Sequence, residues 1–436
     1  MVARTLWFRA TSHGPSCFAT DNPLDTSMTD SILPLQLSLP WLPYQRDIVA
    51  YLKKVDPHVW NWFTKSARDD KTAEEVRFHL LKSTYRIAPE DQPLLYDTAK
   101  VACQKLGLDV PVTIYQAQHH EGLNASLAYT PNEIHIILHG PVADKLSSPE
   151  ILSLFAHEVA HFLLWHSENH ELLVATEMLT AMVNDPRCHP AHVASLRLLA
   201  LYCEIYCDQA SLLVTNDANA VISALVKAQT GVQEINAESY LQQSREIFAR
   251  GDTASKGISH PEGYIRAYAL ELHREGREDL YDQLRKLIEG SPGIDDLDLL
   301  AQQSLASLTR RVMDVLLGHR WLQTDVLVAH ARLYFDDYVP PNAPLTDAGL
   351  ATDCPVEVES LRDYFCFVLL DFVSADRDLE EAPLAAAIEL ADQLQIKARF
   401  LELARKELKL RKNQVEKIDR DKEKILLQAA SAMVNA

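Results

Sequence analysis

The sequence holds 436 residues, 47% of them hydrophobic, with a formal net charge of −19. At roughly 150 residues per domain, two or three domains are expected, with enough apolar material for a substantial core. The acidic balance argues against nucleic acid as the main partner, because such a chain gains little from counterion release on phosphate backbones.

One stretch departs from that average. From Lys397 to Lys424 there are eleven Lys or Arg against six Asp or Glu, a pattern that reads as a solvated helix face of mixed charge. No window holds the 18 or more apolar residues of a spanning helix, so no integral membrane segment is expected. Residues 1–45 read as a flexible, loop-like segment rich in Ser, Thr and Pro. Its first part has two arginines and no acid before Asp21, as transit peptides do, whereas Arg9 and His13 interrupt any secretory apolar core. Met28 is the preferred start, which would make the first 27 residues a tail. The seven cysteines (17, 103, 188, 203, 207, 354 and 366) are scattered and odd in number, so no disulfide framework is expected and the cytoplasm is the simplest compartment. Cys203 and Cys207, four apart, read as one face of a helix.

From Tyr44 to about Leu108 the pattern is helical, broken at Pro57 and Pro89. The one clear β region follows. Val112–Gln118 and Asn132–Leu138 are rich in β-branched residues, with a turn at 130–132 before the second, and Asn124–Tyr129 is a candidate third strand. After Pro149 the chain reads as helical almost to its end. SPEILSLFAHEVAHFLLWH forms one helix with Ser148 as N-cap, Pro149 at its first position and Glu150 in its first turn. Further helices are expected near 170–184, 190–214, 217–231, 237–249 and 262–274, and again across 278–338. The Pro-rich stretch 339–355 reads as a linker to an all-helical domain at 356–436.

The chemistry concentrates in HEVAH at 157–161. Positions four apart share a helix face, so His157 and His161 can offer ring nitrogens to one Zn²⁺. Glu158 then stands beside the metal-bound water as general base and can carry its proton to a leaving amine. Between Ser153 and Leu164 Glu158 is the sole charged residue, and a buried carboxylate between two histidines needs a partner such as a metal. The plainer alternative is a core helix whose histidines bond backbone carbonyls. A catalytic zinc also needs a third ligand. His166 and His170 are off register and read as surface residues, whereas Glu204 in LYCEIYCDQAS sits in an otherwise apolar run. Asp208, one turn on, can bond the far nitrogen of a zinc-bound histidine.

HEVAH, then Glu204-Ile-Tyr-Cys-Asp208, then Ser259-His260-Pro261 with Arg266, resembles the HtpX/CAAX-prenyl-protease family of gluzincin peptidases over roughly residues 80–270. LGLDVPVTIYQAQHHEGLNASLAY is similar to that family's segment before the zinc helix. The resemblance implies a mainly α (α+β) fold of zincin type, a small sheet beside the HExxH helix and a peptidase domain at 46–338. It implies one zinc held by His157, His161 and Glu204, Glu158 as base and Asp208 in support. His260 and Arg266 would lie near the cleft, His260 to stabilise an oxyanion or approach the zinc; read without the family, His260 is equally a turn residue before Pro261. The strand at Asn124–Ala125 would bind an extended peptide by its edge. Two features depart from the family: many members are membrane-embedded whereas no spanning helix is expected here, and a minimal peptidase does not need so long a helical C-terminal extension. Residues 364–396 resemble the TerB-like tellurite-resistance helical domain, although Arg377 follows Asp376 where that family has glycine.

These readings give a zinc metalloendopeptidase acting on protein or peptide substrates. The alternative is a zinc-stabilised scaffold without catalysis, whose C-terminal helices bind protein partners.

Overall fold

The computed structural model describes residues 39–66, 70–118, 122–251 and 254–434. The expected transit-like segment, Met28 and Cys17 lie outside them. The chain divides into two compact units, one formed by 1–181 with 197–288 and the other by 182–196 with 289–436.

The first unit opens with α1 (Pro43–Val55), α2 (Pro57–Ser66) and α3 (Asp70–Ser83). Pro57 starts a helix, as its fixed φ and missing N–H favour. The helical reading then fails at β1 (Thr84–Arg86), a strand of three residues too short to carry an alternating pattern. After α4 (Pro93–Lys105) come β2 (Val112–Ala117), β3 (Asn124–Thr130) and β4 (Glu133–His139). The sheet order is β1-β2-β4-β3. β2 runs parallel to β4, while β1 and β3 are antiparallel to their neighbours. β3 is therefore an edge strand. Gly140 closes β4 at φ +69°, and a Cβ there would lie 1.9 Å from the Gly122 carbonyl oxygen, so only glycine lets the two backbones meet.

A short α5 (Val142–Lys145) leads to α6 (Ser148–His166). Its N-cap is Ser147, one residue before the expected Ser148, because Glu150 accepts from the Ser147 amide at 2.8 Å and its hydroxyl at 3.0 Å. Glu150 also accepts from Ser223 Oγ and pairs with Lys227 Nζ at 2.8 Å, fastening the start of α6 to the helix that carries both. Burial would raise the Glu150 carboxyl, but Lys227, Ser223 and Ser147 outweigh it and hold it below its ordinary value. Ile151, Phe155, Val159 and Phe162 are buried at 2% exposure or less, so α6 is a core helix packed against α4 and β3.

α7 (Glu171–Val183) is followed by α8 (Pro190–Thr215). By length and composition alone α8 is long and apolar enough to cross a membrane. However, 83% of its most apolar window is buried inside the protein, as in a core helix. α9 (Ala218–Thr230), α10 (Ala237–Phe248), α11 (Gly263–Glu275) and α12 (Leu280–Ile288) complete this unit. Leu212, Val221, Leu241, Ala267 and Leu270 form a core cluster joining α8 to α11.

The second unit is helical throughout its described elements: α13 (Leu299–Leu316), α14 (Asp325–Tyr334), α15 (Leu350–Asp353), α16 (Glu359–Ala375), α17 (Ala382–Gln393), α18 (Lys397–Glu407) and α19 (Lys412–Val434). The expected mainly α fold with a small mixed sheet and a helical C-terminal part is what the protein has. The segment 339–355, expected as a linker, lies inside this unit. Leu350 and Cys354 are buried in its core, and Arg311 bonds both Asp347 and Asp353. Proline-rich composition marks an irregular path, which a packed loop satisfies as well as a tether. Asp376, in the turn after α16, accepts from Thr324 Oγ1 at 2.7 Å and from the Asp378 amide at 3.1 Å, so its carboxylate is committed to local bonds.

Candidate metal centre

Three helices bring the expected residues together. On α6, His157 and His161 face the same way one turn apart, with ring centroids 5.0 Å from each other and side chains 12% and 14% exposed. On α8, Glu204 and Asp208 share a face by the same spacing, and each is buried. On α11, Arg266 lies in the first turn. A Cβ at Gly263 would meet the Gln229 amide oxygen at 2.1 Å, so a side chain there would displace the end of the Gln229 side chain.

Glu204 is the centre of the cluster. Its Oε2 stands 3.3 Å from His157 Nε2, and its Oε1 stands 3.4 Å from His161 Nε2 and 3.4 Å from His260 Nε2. Arg266 Nη1 approaches Oε2 at 3.5 Å. None of these contacts gives Glu204 Oε2 a hydrogen bond, so a buried carboxylate oxygen is left unsatisfied beside imidazole nitrogens. That donor set of two histidines and a carboxylate, with an unpartnered buried oxygen, fits a divalent cation such as Zn²⁺. Burial alone would raise the Glu204 carboxyl; the two histidines hold it well below the ordinary carboxylate range.

Asp208 supports this arrangement. Its Oδ1 lies 3.1 Å from His157 Nδ1, and Arg266 grips both its oxygens, at 2.7 Å from Nε and 2.6 Å from Nη2. Without a metal, burial would lower His157, but the Asp208 and Glu204 carboxylates outweigh it and push it up to about 10. Glu158 is buried beside His157, and burial raises its carboxyl even though both histidines oppose the rise.

His260 stands in the loop before α11, its side chain 53% exposed and its Nδ1 2.9 Å from Ser259 Oγ. Arg197 holds this loop by donating from Nε to the Gly257 carbonyl at 2.7 Å, and Ser255 Oγ donates to Glu262 at 2.8 Å. Gly257 itself is required, since a Cβ would lie 1.9 Å from the His260 carbonyl oxygen. Asn124 and Ala125 begin β3, where their register partners are His139 and Leu138. The far end of β3 meets α6: Tyr129 packs on Phe162 and Trp165, and Trp165 packs on His161. His166 and His170 belong to a separate contact, in which His170 Nδ1 lies 3.0 Å from the Tyr129 hydroxyl.

Cys207 is the residue that the sequence reading missed. Read from sequence as part of a plain helix face, its Sγ in fact lies within 4.8 Å of a ring nitrogen of His157 and one of His161. The spacing of three from Glu204 was the available signal, since both then face α6. Cys203 is placed differently, as Gln45 Nε2 on α1 contacts its sulfur at 3.6 Å.

The chain is 23% identical over 231 residues to the plastoglobule-localized metallopeptidase 48, chloroplastic, of Arabidopsis thaliana, covering 48% of this chain and 65% of that protein. It thus spans less than two thirds of that relative's length. No protein-family profile matches the chain, and no solved structure does. The likeness is a distant one to a metallopeptidase.

Proposed function

We propose that this chain is a zinc-dependent metalloendopeptidase in which His157, His161 and Glu204 hold the metal and Glu158 is the general base. The observation that carries this reading is the convergence of both histidine Nε2 atoms on the Glu204 carboxylate at 3.3 and 3.4 Å, with Glu158 buried alongside. The distant likeness to a metallopeptidase agrees with it. The HtpX/CAAX-type gluzincin grouping is part of the same proposal.

Zinc held by His157, His161 and Glu204 would supply Lewis-acid chemistry, polarising a carbonyl and lowering the pKa of water. The protein's residues do the rest. Asp208, accepting from His157 Nδ1, keeps that proton in place and leaves Nε2 free to coordinate. Arg266 neutralises Asp208, so the bond is made by a fixed carboxylate. Glu158 takes the proton of the attacking water and returns it to the departing amine. His260, half exposed with its Nε2 3.4 Å from Glu204 Oε1, would donate to the oxygen of the scissile carbonyl as it gains charge. The edge strand β3 offers backbone groups to an extended peptide, which favours protein or peptide substrates over small molecules.

The test is zinc stoichiometry and peptidase activity in the wild type and in Glu158→Gln. One zinc per chain is expected in both, with activity lower by about 10²- to 10⁴-fold in the variant. Equal activity in the two proteins would overturn the assignment of the base, and absence of zinc from the wild type would overturn the site.

A further inference from the structure

In the reading above, Cys207 has no role, yet it is fully buried at the centre. It lies on α8 between Glu204 and Asp208, and its Sγ shares a 4.8 Å neighbourhood with nitrogens of both His157 and His161. Donors this close can share one ion. On the same helix, the unsatisfied Glu204 Oε2, 3.3 Å from His157 Nε2, is a further buried donor suited to a cation beside that histidine.

We propose that Cys207 is itself a metal-binding residue, adding a thiolate to His157, His161 and Glu204 and closing the centre with four protein donors when no substrate is bound. This inference rests on the reading of the cluster as a metal centre. On coordination the sulfur–metal bond forms as the thiol proton leaves to solvent, with no change in oxidation state. Two consequences follow from the chemistry. A soft sulfur donor tilts the site toward thiophilic ions, so cadmium should bind better relative to zinc than at a site of two histidines and a carboxylate. Four protein donors also leave no open position, so the peptide and the attacking water must displace the thiolate before reaction.

The experiment is absorption spectroscopy of the full chain, stripped of metal and loaded with Co²⁺. The wild type is expected to show the visible bands of bound cobalt together with a near-ultraviolet thiolate-to-cobalt band. Cys207→Ser and Cys207→Ala should keep the first and lose the second, while Cys203→Ser, whose sulfur faces Gln45, should keep both. Cobalt bound by the wild type without the thiolate band overturns the proposal and leaves the histidine–glutamate centre standing. A band that survives in both Cys207 variants overturns it too. A wild type that binds no cobalt rejects the centre itself. If the Cys207 variants do not fold, the wild-type and Cys203→Ser spectra still decide. As a second readout, Cys207→Ser should lower the preference for Cd²⁺ over Zn²⁺ by about tenfold or more, and an unchanged ratio overturns the inference.

Discussion

Arg266 and Asp208 form a bidentate pair, Nε to Oδ2 at 2.7 Å and Nη2 to Oδ1 at 2.6 Å, although they lie 58 residues apart and both are buried. The same Asp208 contacts His157 Nδ1, so a guanidinium on α11 fixes the orientation of an imidazole on α6 through a carboxylate on α8. Substituting either end should therefore have different effects. Asp208→Ala frees the His157 ring and should weaken zinc binding by about 10- to 100-fold, measured by chelator competition. Arg266→Ala leaves buried carboxylates without their counter-charge and should cost about 3–5 kcal/mol in denaturant unfolding of the metal-free protein. Unchanged zinc affinity in Asp208→Ala would remove Asp208 from the site.

Glu150 sets an acid limit on the first unit. Its carboxyl lies below its ordinary value in the folded protein, so it binds protons less readily there than in the unfolded chain. The resulting stability is fully present above the unfolded pKa of roughly 4.3 and is lost as pH falls through the folded value. Glu150→Gln should lower stability at pH 7 by about 1–3 kcal/mol, and the gap to wild type should close as the pH is lowered below 4. A gap that is constant with pH would mean that the charge is irrelevant.

Glu177 on α7 predicts the opposite sign. Burial pushes its carboxyl up to about 7, so the folded protein binds this proton more tightly than the unfolded chain does. The folded state is then penalised as pH rises from roughly 4.3 through 7. Glu177→Gln should raise the melting temperature at pH 8 and leave it near wild type at pH 4. Equal melting temperatures at pH 8 would refute the shift.

Gly257 controls His260 without touching the metal ligands. Gly257→Ala must open the 257–260 turn, because its Cβ would fall on the His260 carbonyl oxygen. Zinc stoichiometry should be unchanged while peptidase activity falls by about 10- to 100-fold, as a displaced catalytic group costs. Full activity in a folded variant would return His260 to the status of a turn residue.

How much of this was legible depended on the range of the forces involved. The sequence by itself determined the helix carrying His157, Glu158 and His161, the Glu204–Asp208 face and the strands near 112 and 133, because helical and β periodicities act between residues a few positions apart. It misplaced the cap of α6 by one residue, since Ser147 and Ser148 are chemically alike and only the reach of Glu150 distinguishes them. It missed β1, whose three residues gain their strand character from pairing with β2, and it read 339–355 as a tether although Arg311 and buried Leu350 fix that segment. Tertiary structure alone decided that Glu204 meets both histidines, that Arg266 reaches Asp208 and that Cys207, not Cys203, turns toward the site. Those contacts join separate helices, and no local pattern records which faces of packed helices will meet.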